Sequence, residues 1–170
     1  MYIHPGNGRI IFHLIKINQQ MIKIIRTDSS NADFQSLVAL LDADLKIRDG
    51  EDHSFYSQFN TIESIKHVVV AFVENKAIAC GAFKHFSENA VEIKRMFVQE
   101  EYRGKGIAYL VLAELEKWAS ELKYSSCILE TGKKQPEAIR LYEKAGYDNI
   151  PNYGQYQNVE NSVCMKKDIT

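Results

Sequence analysis

The chain has 170 residues, of which 45% are hydrophobic and 25% are charged, and its formal net charge is −1. These values are typical of one soluble domain with a sizeable core, and the mixed charges exclude nucleic acid as an expected ligand. No apolar run approaches the length of a membrane-spanning helix or resembles a secretory signal. We therefore predict no membrane partner and a location in the reducing cytoplasm.

The first twenty residues are interpreted as an N-terminal extension, and residues 21–170 as the domain. Met21 opens a strand-like run, MIKIIR, and could be an alternative start. The apolar run at 9–17 is compatible with an extra strand, a swapped arm or a disordered lead, and the sequence does not decide between them.

A helix is predicted after the capping-box residues at 30–33, because apolar residues follow at helical spacing until about 47–50. A polar loop leads to a short helix at 55–60. A long amphipathic helix is predicted at 105–123, and a further helix opens at Pro136. Alternating or β-branched runs predict the later strands: 68–73, 77–84, 91–98, 127–130, 147–150 and 162–166.

The strand at 91–98 changes the parity of its apolar side chains. These lie at odd positions up to Ile93 and at even positions from Met96, with Lys94 and Arg95 between them. Two adjacent polar residues at a parity change predict a β-bulge, which redirects side chains and leaves backbone groups unpaired.

A basic, glycine-containing loop joins this strand to the long helix. Arg103 and Lys105 supply cations, while Gly104 and Gly106 let the backbone approach a ligand closely. Unpaired N–H groups and the positive end of the helix dipole favour an anion there, which indicates a nucleotide-like or coenzyme ligand with a pyrophosphate. A simple basic turn is the alternative.

No metal site is predicted, because the five histidines lack the spacing of metal ligands. The three cysteines, Cys80, Cys127 and Cys164, are dispersed in apolar runs, so we interpret them as buried thiols rather than as disulfides or zinc ligands.

Two motifs resemble the hallmarks of the GNAT superfamily of N-acetyltransferases. The first is Arg103-x-x-Gly106-x-Ala108, and the second is AIRLYEKAGY at 138–147. The resemblance covers roughly residues 22–167. It implies an α/β (α+β) fold with a mixed, mostly antiparallel sheet of six or seven strands, about four helices, and a cleft where the strands at 91–98 and 127–130 splay apart.

The resemblance also implies acetyl-CoA as co-substrate, without a metal. Its implied binding residues are Met96, Phe97, Val98, Arg103, Gly104, Lys105, Gly106, Ile107, Ala108, Gln135 and Tyr142. A backbone N–H near Met96 or Phe97 would stabilise the oxyanion. Many members carry an asparagine that contacts pantetheine at the position of Gln135. The glutamine of this chain departs from that pattern.

Two side chains are implied as catalytic. Glu92 is the candidate general base, since a carboxylate in a partly desolvated cleft can titrate at a useful pH. Its alternative is a strand glutamate paired with Lys94 or a neighbour. Tyr142 is the candidate acid, because its phenol stays protonated at neutral pH and can donate to the thiolate. Its alternative is a core aromatic.

The acceptor is expected to be the primary amine of a small or amino-acid-like molecule. Its candidate binding residues are Arg48, His53, Tyr56, Arg95, Tyr153 and Tyr156. Arg95 could pair with a carboxylate, or it could form a salt bridge with Glu92 or Glu130. The alternative functions are a non-catalytic acyl-CoA-binding module and a protein or peptide amine acetyltransferase. A homodimer is common in the family, and no feature of the sequence demands one.

Overall fold

A computed structural model of the chain describes residues 12–17, 20–50, 53–58, 61–63 and 65–169. In these ranges one sheet of eight strands has the order β1-β2-β3-β4-β5-β6-β8-β7. The strands are β1 (Phe12–Ile17), β2 (Gln20–Thr27), β3 (His67–Val73), β4 (Lys76–Ser87), β5 (Ala90–Val98), β6 (Ser126–Gly132), β7 (Asp148–Ile150) and β8 (Ser162–Asp168). The fold class is the predicted one.

The helices are α1 (Ala32–Asp49), α2 (His53–Ser57), α3 (Ile107–Glu121) and α4 (Pro136–Lys144). The predicted cap of α1 is present, since the Asn31 side chain accepts a hydrogen bond of 2.9 Å from the Phe34 backbone N–H. Pro136 occupies the first turn of α4, where a missing N–H costs nothing. Within the described ranges, none of the helices is long and apolar enough to span a membrane.

The sheet buries side chains on both faces. Its front face, as we call the side covered by α1, packs Phe34 and Leu37 against Val68, Val70 and neighbouring residues. The back face packs α3 and α4 against residues of the central strands. All three cysteines are buried and free, as predicted, and burial raises the pKa of Cys80 and of Cys127 to about 12.

The eighth strand is β1, for which the sequence left three interpretations open. Residues 12–17 form an extended edge strand that pairs antiparallel with all of β2 except its last two residues. Ile15 and Ile17 pack against the back-face core, while Leu14 before them and Lys16 between them are exposed. This period of two explains why the segment adds a strand to the predicted six or seven.

The predicted cleft lies between β5 and β6. These two strands pair in parallel only at Ala90–Ser126, Val91–Cys127 and Glu92–Ile128, and β6 then continues to Gly132 beside β8. Since β5 itself continues to Val98, the two strands separate after Glu92 and open the sheet.

The predicted bulge is also present in β5. Lys94 pairs with Ala82 and Phe97 pairs with Cys80, so two residues of β5 oppose Gly81 alone. Arg95 has a φ of 59°, which is unusual for a residue with a Cβ. A Cβ at Gly81 would lie 2.4 Å from the Met96 Sδ, so a larger residue there would displace the Met96 side chain.

Candidate active site

A cavity of about 600 Å³ opens at the splayed strands. It is bounded by α1, the bulged end of β5, the loop before α3, the end of β6, and α4. The volume falls in the range typical of small-molecule sites. The bulge predicted from the strand pattern and the splay implied by the family resemblance therefore border the same cavity.

The loop before α3 forms one wall of this cavity. Gly106 is the residue that caps α3, and its φ of 77° lies in the left-handed region where other residues are strained. The first N–H groups of α3 have no partner within the helix, so they are available to a bound anion. Arg103 donates from Nε to the Val98 carbonyl at 2.9 Å, while Lys105 bends back to the Glu101 carbonyl. The wall fits a phosphate group.

Most of the predicted site residues meet at this cavity. The predicted residues in its lining are Arg48, Tyr56, Arg95, Met96, Phe97, Val98, Arg103, Gly104, Gly106, Ile107, Ala108, Gln135, Tyr142 and Tyr156. Glu92, Lys105 and Tyr153 lie beside the cavity and not in its lining. The side chain of His53 falls outside the described residues.

Tyr142 belongs both to the core and to the cavity. It is 6% exposed on α4, and its ring meets that of Tyr147 edge-on with centroids 5.7 Å apart. Burial, and secondarily the charge of Glu130, raises the pKa of Tyr142, so its hydroxyl is protonated at neutral pH. The packing and the candidate acid role therefore coexist in one side chain.

Glu92 is held at the front face by its neighbours. Its Oε1 accepts a hydrogen bond of 2.9 Å from the Tyr153 hydroxyl and lies 3.6 Å from the Lys94 Nζ. Burial and the Glu92 charge raise the pKa of Tyr153, which keeps that hydroxyl a donor. The ion pair expected as the alternative to catalysis is thus present, and the catalytic role of Glu92 stays a prediction.

Glu130 and Lys94 line the cavity, although the sequence interpretation did not assign them to the site. The Glu130 Oε1 accepts a hydrogen bond of 2.6 Å from the Ser162 hydroxyl, which lies 3.2 Å from the Tyr56 hydroxyl. Strand parity identifies both residues once the β5–β6 register is known. Each follows the last β5–β6 pair by two positions and therefore faces the same side as Glu92.

The two predicted acceptor-binding arginines are both engaged by acidic residues. Arg95 is buried, and its Nη2 donates to the Asp42 Oδ1 at 2.5 Å, so its partner is neither Glu92 nor Glu130. Its Nε is buried without a hydrogen-bond partner.

The second arginine, Arg48, bridges two helices at the cavity. It lies 3.1 Å from Asp44 on α1 and also contacts Glu137 in the first turn of α4. The residues described contain no group of three or more histidine, cysteine, aspartate or glutamate side chains that could hold a metal ion.

Comparison with protein families gives a match over residues 34–147 to the model described as Acetyltransferase (GNAT) family. A relative from Azospirillum brasilense named IAA acetyltransferase is 34% identical over 102 residues, which are 59% of this chain and 67% of that protein. The N-acetylaspartate synthetase of Xenopus tropicalis is 37% identical over 82 residues, which are 48% of this chain and 30% of that protein. This chain thus matches 67% of the length of the first relative and 30% of the length of the second.

Solved structures show the same fold. A candidate acyl-CoA N-acyltransferase from Klebsiella pneumoniae has a TM-score of 0.74 and 26% identity, covering 88% of this chain and 98% of that one. PaiA N-acetyltransferase from Thermoplasma acidophilum, solved in complex with coenzyme A, has a TM-score of 0.64 and 20% identity, covering 86% and 98%. The resemblance in the two sequence motifs is therefore confirmed.

Proposed function

Because this chain belongs to the acetyltransferase (GNAT) family, we propose that it transfers the acetyl group of acetyl-CoA to a primary amine of a small or amino-acid-like acceptor. One observation carries this proposal: a single cavity joins the glycine loop of α3 to the splayed strands, where Tyr142 and Glu130 lie. Acetyl-CoA supplies an acyl group activated as a thioester. The buried, free thiols support the predicted cytoplasmic location.

We assign the binding of the coenzyme to the loop and to β5. The N–H groups at the start of α3 would hold the pyrophosphate, with Arg103 near by, and the residues after the bulge would hold the pantetheine chain. Gln135 lines the same cavity, which supports its role in place of the family's asparagine. A backbone N–H of Met96 or Phe97 would stabilise the oxyanion.

The proton transfers are assigned to two side chains. A carboxylate removes one proton from the ammonium form of the acceptor and passes it to water, which frees the nitrogen lone pair. As the C–N bond forms and the C–S bond breaks, the Tyr142 hydroxyl gives its proton to the departing sulfur. The nitrogen then loses its second proton, through the carboxylate, to the tyrosine oxygen. The products are an amide, a free thiol and one proton.

Two carboxylates compete for the role of base. Glu92 is the predicted one, and its front-face position supports it, although its Oε1 is shared with Tyr153. Glu130 lines the cavity and influences the Tyr142 hydroxyl electrostatically, which favours it as the group that exchanges protons with that tyrosine.

The test is the release of free thiol from acetyl-CoA with a panel of primary amines. We expect turnover with at least one small amine, and acetylated product by mass spectrometry. Binding of acetyl-CoA without turnover on any amine, peptides included, would instead indicate a non-catalytic binding module. Turnover confined to peptides or proteins would indicate a protein or peptide amine acetyltransferase.

A further inference from the structure

A nearly buried lysine faces the cavity with few hydrogen-bond partners. The Lys94 side chain is 11% exposed, and its Nζ lies 3.4 Å from the Tyr156 hydroxyl and 3.6 Å from the Glu92 Oε1. An ammonium carries three donors, and its bonds to carboxylates are usually about 2.7–2.9 Å long. These long contacts leave donors of Lys94 available to a ligand in the cavity.

Glu130 stands across the cleft from this lysine. The last paired residues of β5 and β6 are Glu92 and Ile128, and both strands continue for two residues to Lys94 and Glu130 before any other front-face side chain. Because side chains alternate between faces, the two opposite charges lie on the two strands that border the cleft. We call these borders the lips of the cleft: Lys94 lies on the β5 lip and Glu130 on the β6 lip. Both line the cavity.

The β4–β5 side of the front face carries an excess of positive charge. Burial, and then the charges of Lys94 and Arg95, lowers the pKa of Lys84 despite the opposing effect of Glu92. The Arg95 guanidinium is already paired with Asp42. Of the two other cations, Lys84 donates to the Thr61 carbonyl at 3.1 Å, whereas Lys94 shares Glu92 with Tyr153 and lines the cavity. An anion in the cavity would stabilise this buried ammonium.

We propose that the acceptor is a zwitterion whose carboxylate binds Lys94 and whose amine binds Glu130. This inference rests on the proposed function and narrows its acceptor to amines that carry a carboxylate. The ammonium of such a molecule would lie on the β6 lip, beside the Tyr142 hydroxyl that serves the leaving sulfur. The coenzyme phosphates do not compete for Lys94, because they bind beyond the bulge at the start of α3.

The test compares each amino acid with its primary amide and with its decarboxylated amine, as acceptors for the intact 170-residue chain. For the amino acid that is the best acceptor, we expect a higher kcat/KM than for its amide or its decarboxylated amine. In Lys94→Met, the kcat/KM ratio of acid to amide should fall about ten- to a hundredfold, mainly through the KM of the acid. Lys94→Arg should keep the preference. The kcat/KM values of α-, β- and γ-amino acids, in which the amine and the carboxylate are progressively farther apart, then report the spacing between Lys94 and Glu130 that the acceptor spans.

Lys166→Met is the matched control. Lys166 lies on the same face, pairs with Asp168 at 3.0 Å, and is not in the cavity lining, so the preference should not change. Melting temperatures and acetyl-CoA affinity by calorimetry report whether each variant is folded and loaded. Turnover of amides or plain amines equal to that of acids, or an unchanged ratio in Lys94→Met, would overturn the zwitterion while leaving acetyl transfer intact. Absence of turnover on every amine would overturn both.

Discussion

Two clusters of buried charge lie on opposite faces of the same sheet, and they differ in how completely their donors are used. On the back face, Arg26 of β2 is 6% exposed and donates from Nε to the Glu114 Oε1 at 2.7 Å. Its two other nitrogens contact both carboxylate oxygens of Glu121, and its guanidinium lies 5.0 Å from the centre of the Trp118 ring. Each nitrogen of the Arg26 guanidinium therefore contacts a carboxylate oxygen.

The front-face cluster is open. Glu92 is shared between the Tyr153 hydroxyl and Lys94, while Lys94 and Glu130 both border a cavity. Burial of charge is costly in either place, so it persists where pairing or a ligand offsets it. The comparison indicates that close carboxylate contacts to every cationic nitrogen, rather than burial, distinguish a stabilising cluster from a binding site.

The largest effect is expected from filling the cavity. Gly106→Trp places an indole where the coenzyme phosphates would lie and removes access to the first N–H groups of α3. Acetyl-CoA affinity should fall below detection by calorimetry. The melting temperature should change by only a few degrees, because an added Cβ at Gly106 meets no atom within 4 Å and only its positive φ is strained. Unchanged affinity would remove the loop from the site.

A variant of the back-face cluster should give the opposite result, a loss of stability without a loss of coenzyme binding. Arg26→Met leaves Glu114, whose side chain is 9% exposed, without its cationic partner. Removing one partner of a buried ion pair typically costs about 3–5 kcal/mol, so the free energy of unfolding in urea should fall by that amount. Enzyme that remains folded should keep its KM for acetyl-CoA. An equal loss of stability in Lys94→Met would contradict the distinction between the clusters.

Tyr142→Phe tests the residue that belongs to both core and cavity. The change removes the hydroxyl and keeps the ring packing, so turnover should fall about ten- to ten-thousandfold while the melting temperature changes little. Acetyl-CoA affinity should also be retained. A variant with normal kcat, under conditions where chemistry limits the rate, would leave Tyr142 as a core residue only.

Glu92→Gln and Glu130→Gln form a matched pair that separates the two candidate bases. Each keeps the size of the side chain and removes its charge. If Glu130 is the base, kcat should fall about a hundredfold or more in its variant, in line with the usual contribution of a general base. The Glu92 variant should lose less than tenfold. The reverse order would restore Glu92 to the role predicted from the sequence.

Local patterns in the sequence are sufficient to predict the bulge, the glycine loop and the elements other than β1. The parity change around Lys94 and Arg95 is a local property of one strand, and so is the motif from Arg103 to Ala108. The sequence alone does not identify the partner of Arg95, because Asp42 lies 53 residues away on α1. Contacts of this kind depend on how helices are placed over the sheet.

The same dependence on three-dimensional placement explains why the sequence did not assign Glu130 and Lys94 to the cavity. Glu130 becomes a candidate only when β6 is known to separate from β5 after the pair Glu92–Ile128. The register of a parallel pair depends on the crossover through α3 and not on either strand alone. The family resemblance therefore implies that a cleft exists, whereas identifying the side chains on its two sides requires the register.

The smallest expected effect is the pH dependence of the free energy of unfolding that arises from His67 on the back face. His67 stacks on the Phe83 ring with centroids 4.4 Å apart and meets Trp118 edge-on. Burial, and then the charge of Lys66, lowers the pKa of His67 from its ordinary value of 6.5. Just below pH 6.5 the unfolded chain therefore binds more protons than the folded one, and the free energy of unfolding should decrease as pH falls.

Urea unfolding at steps between pH 7.5 and 5 measures this decrease. His67→Phe keeps an aromatic ring beside Phe83 and Trp118 and removes the titrating group, so its stability should be flatter over the same interval. The acidic side chains whose pKa values are lowered, such as Asp28 and Glu121, lose their contributions only below about pH 4.5, the ordinary range of carboxylates, so they do not interfere. An identical pH dependence in both proteins would show that His67 is not responsible for the decrease.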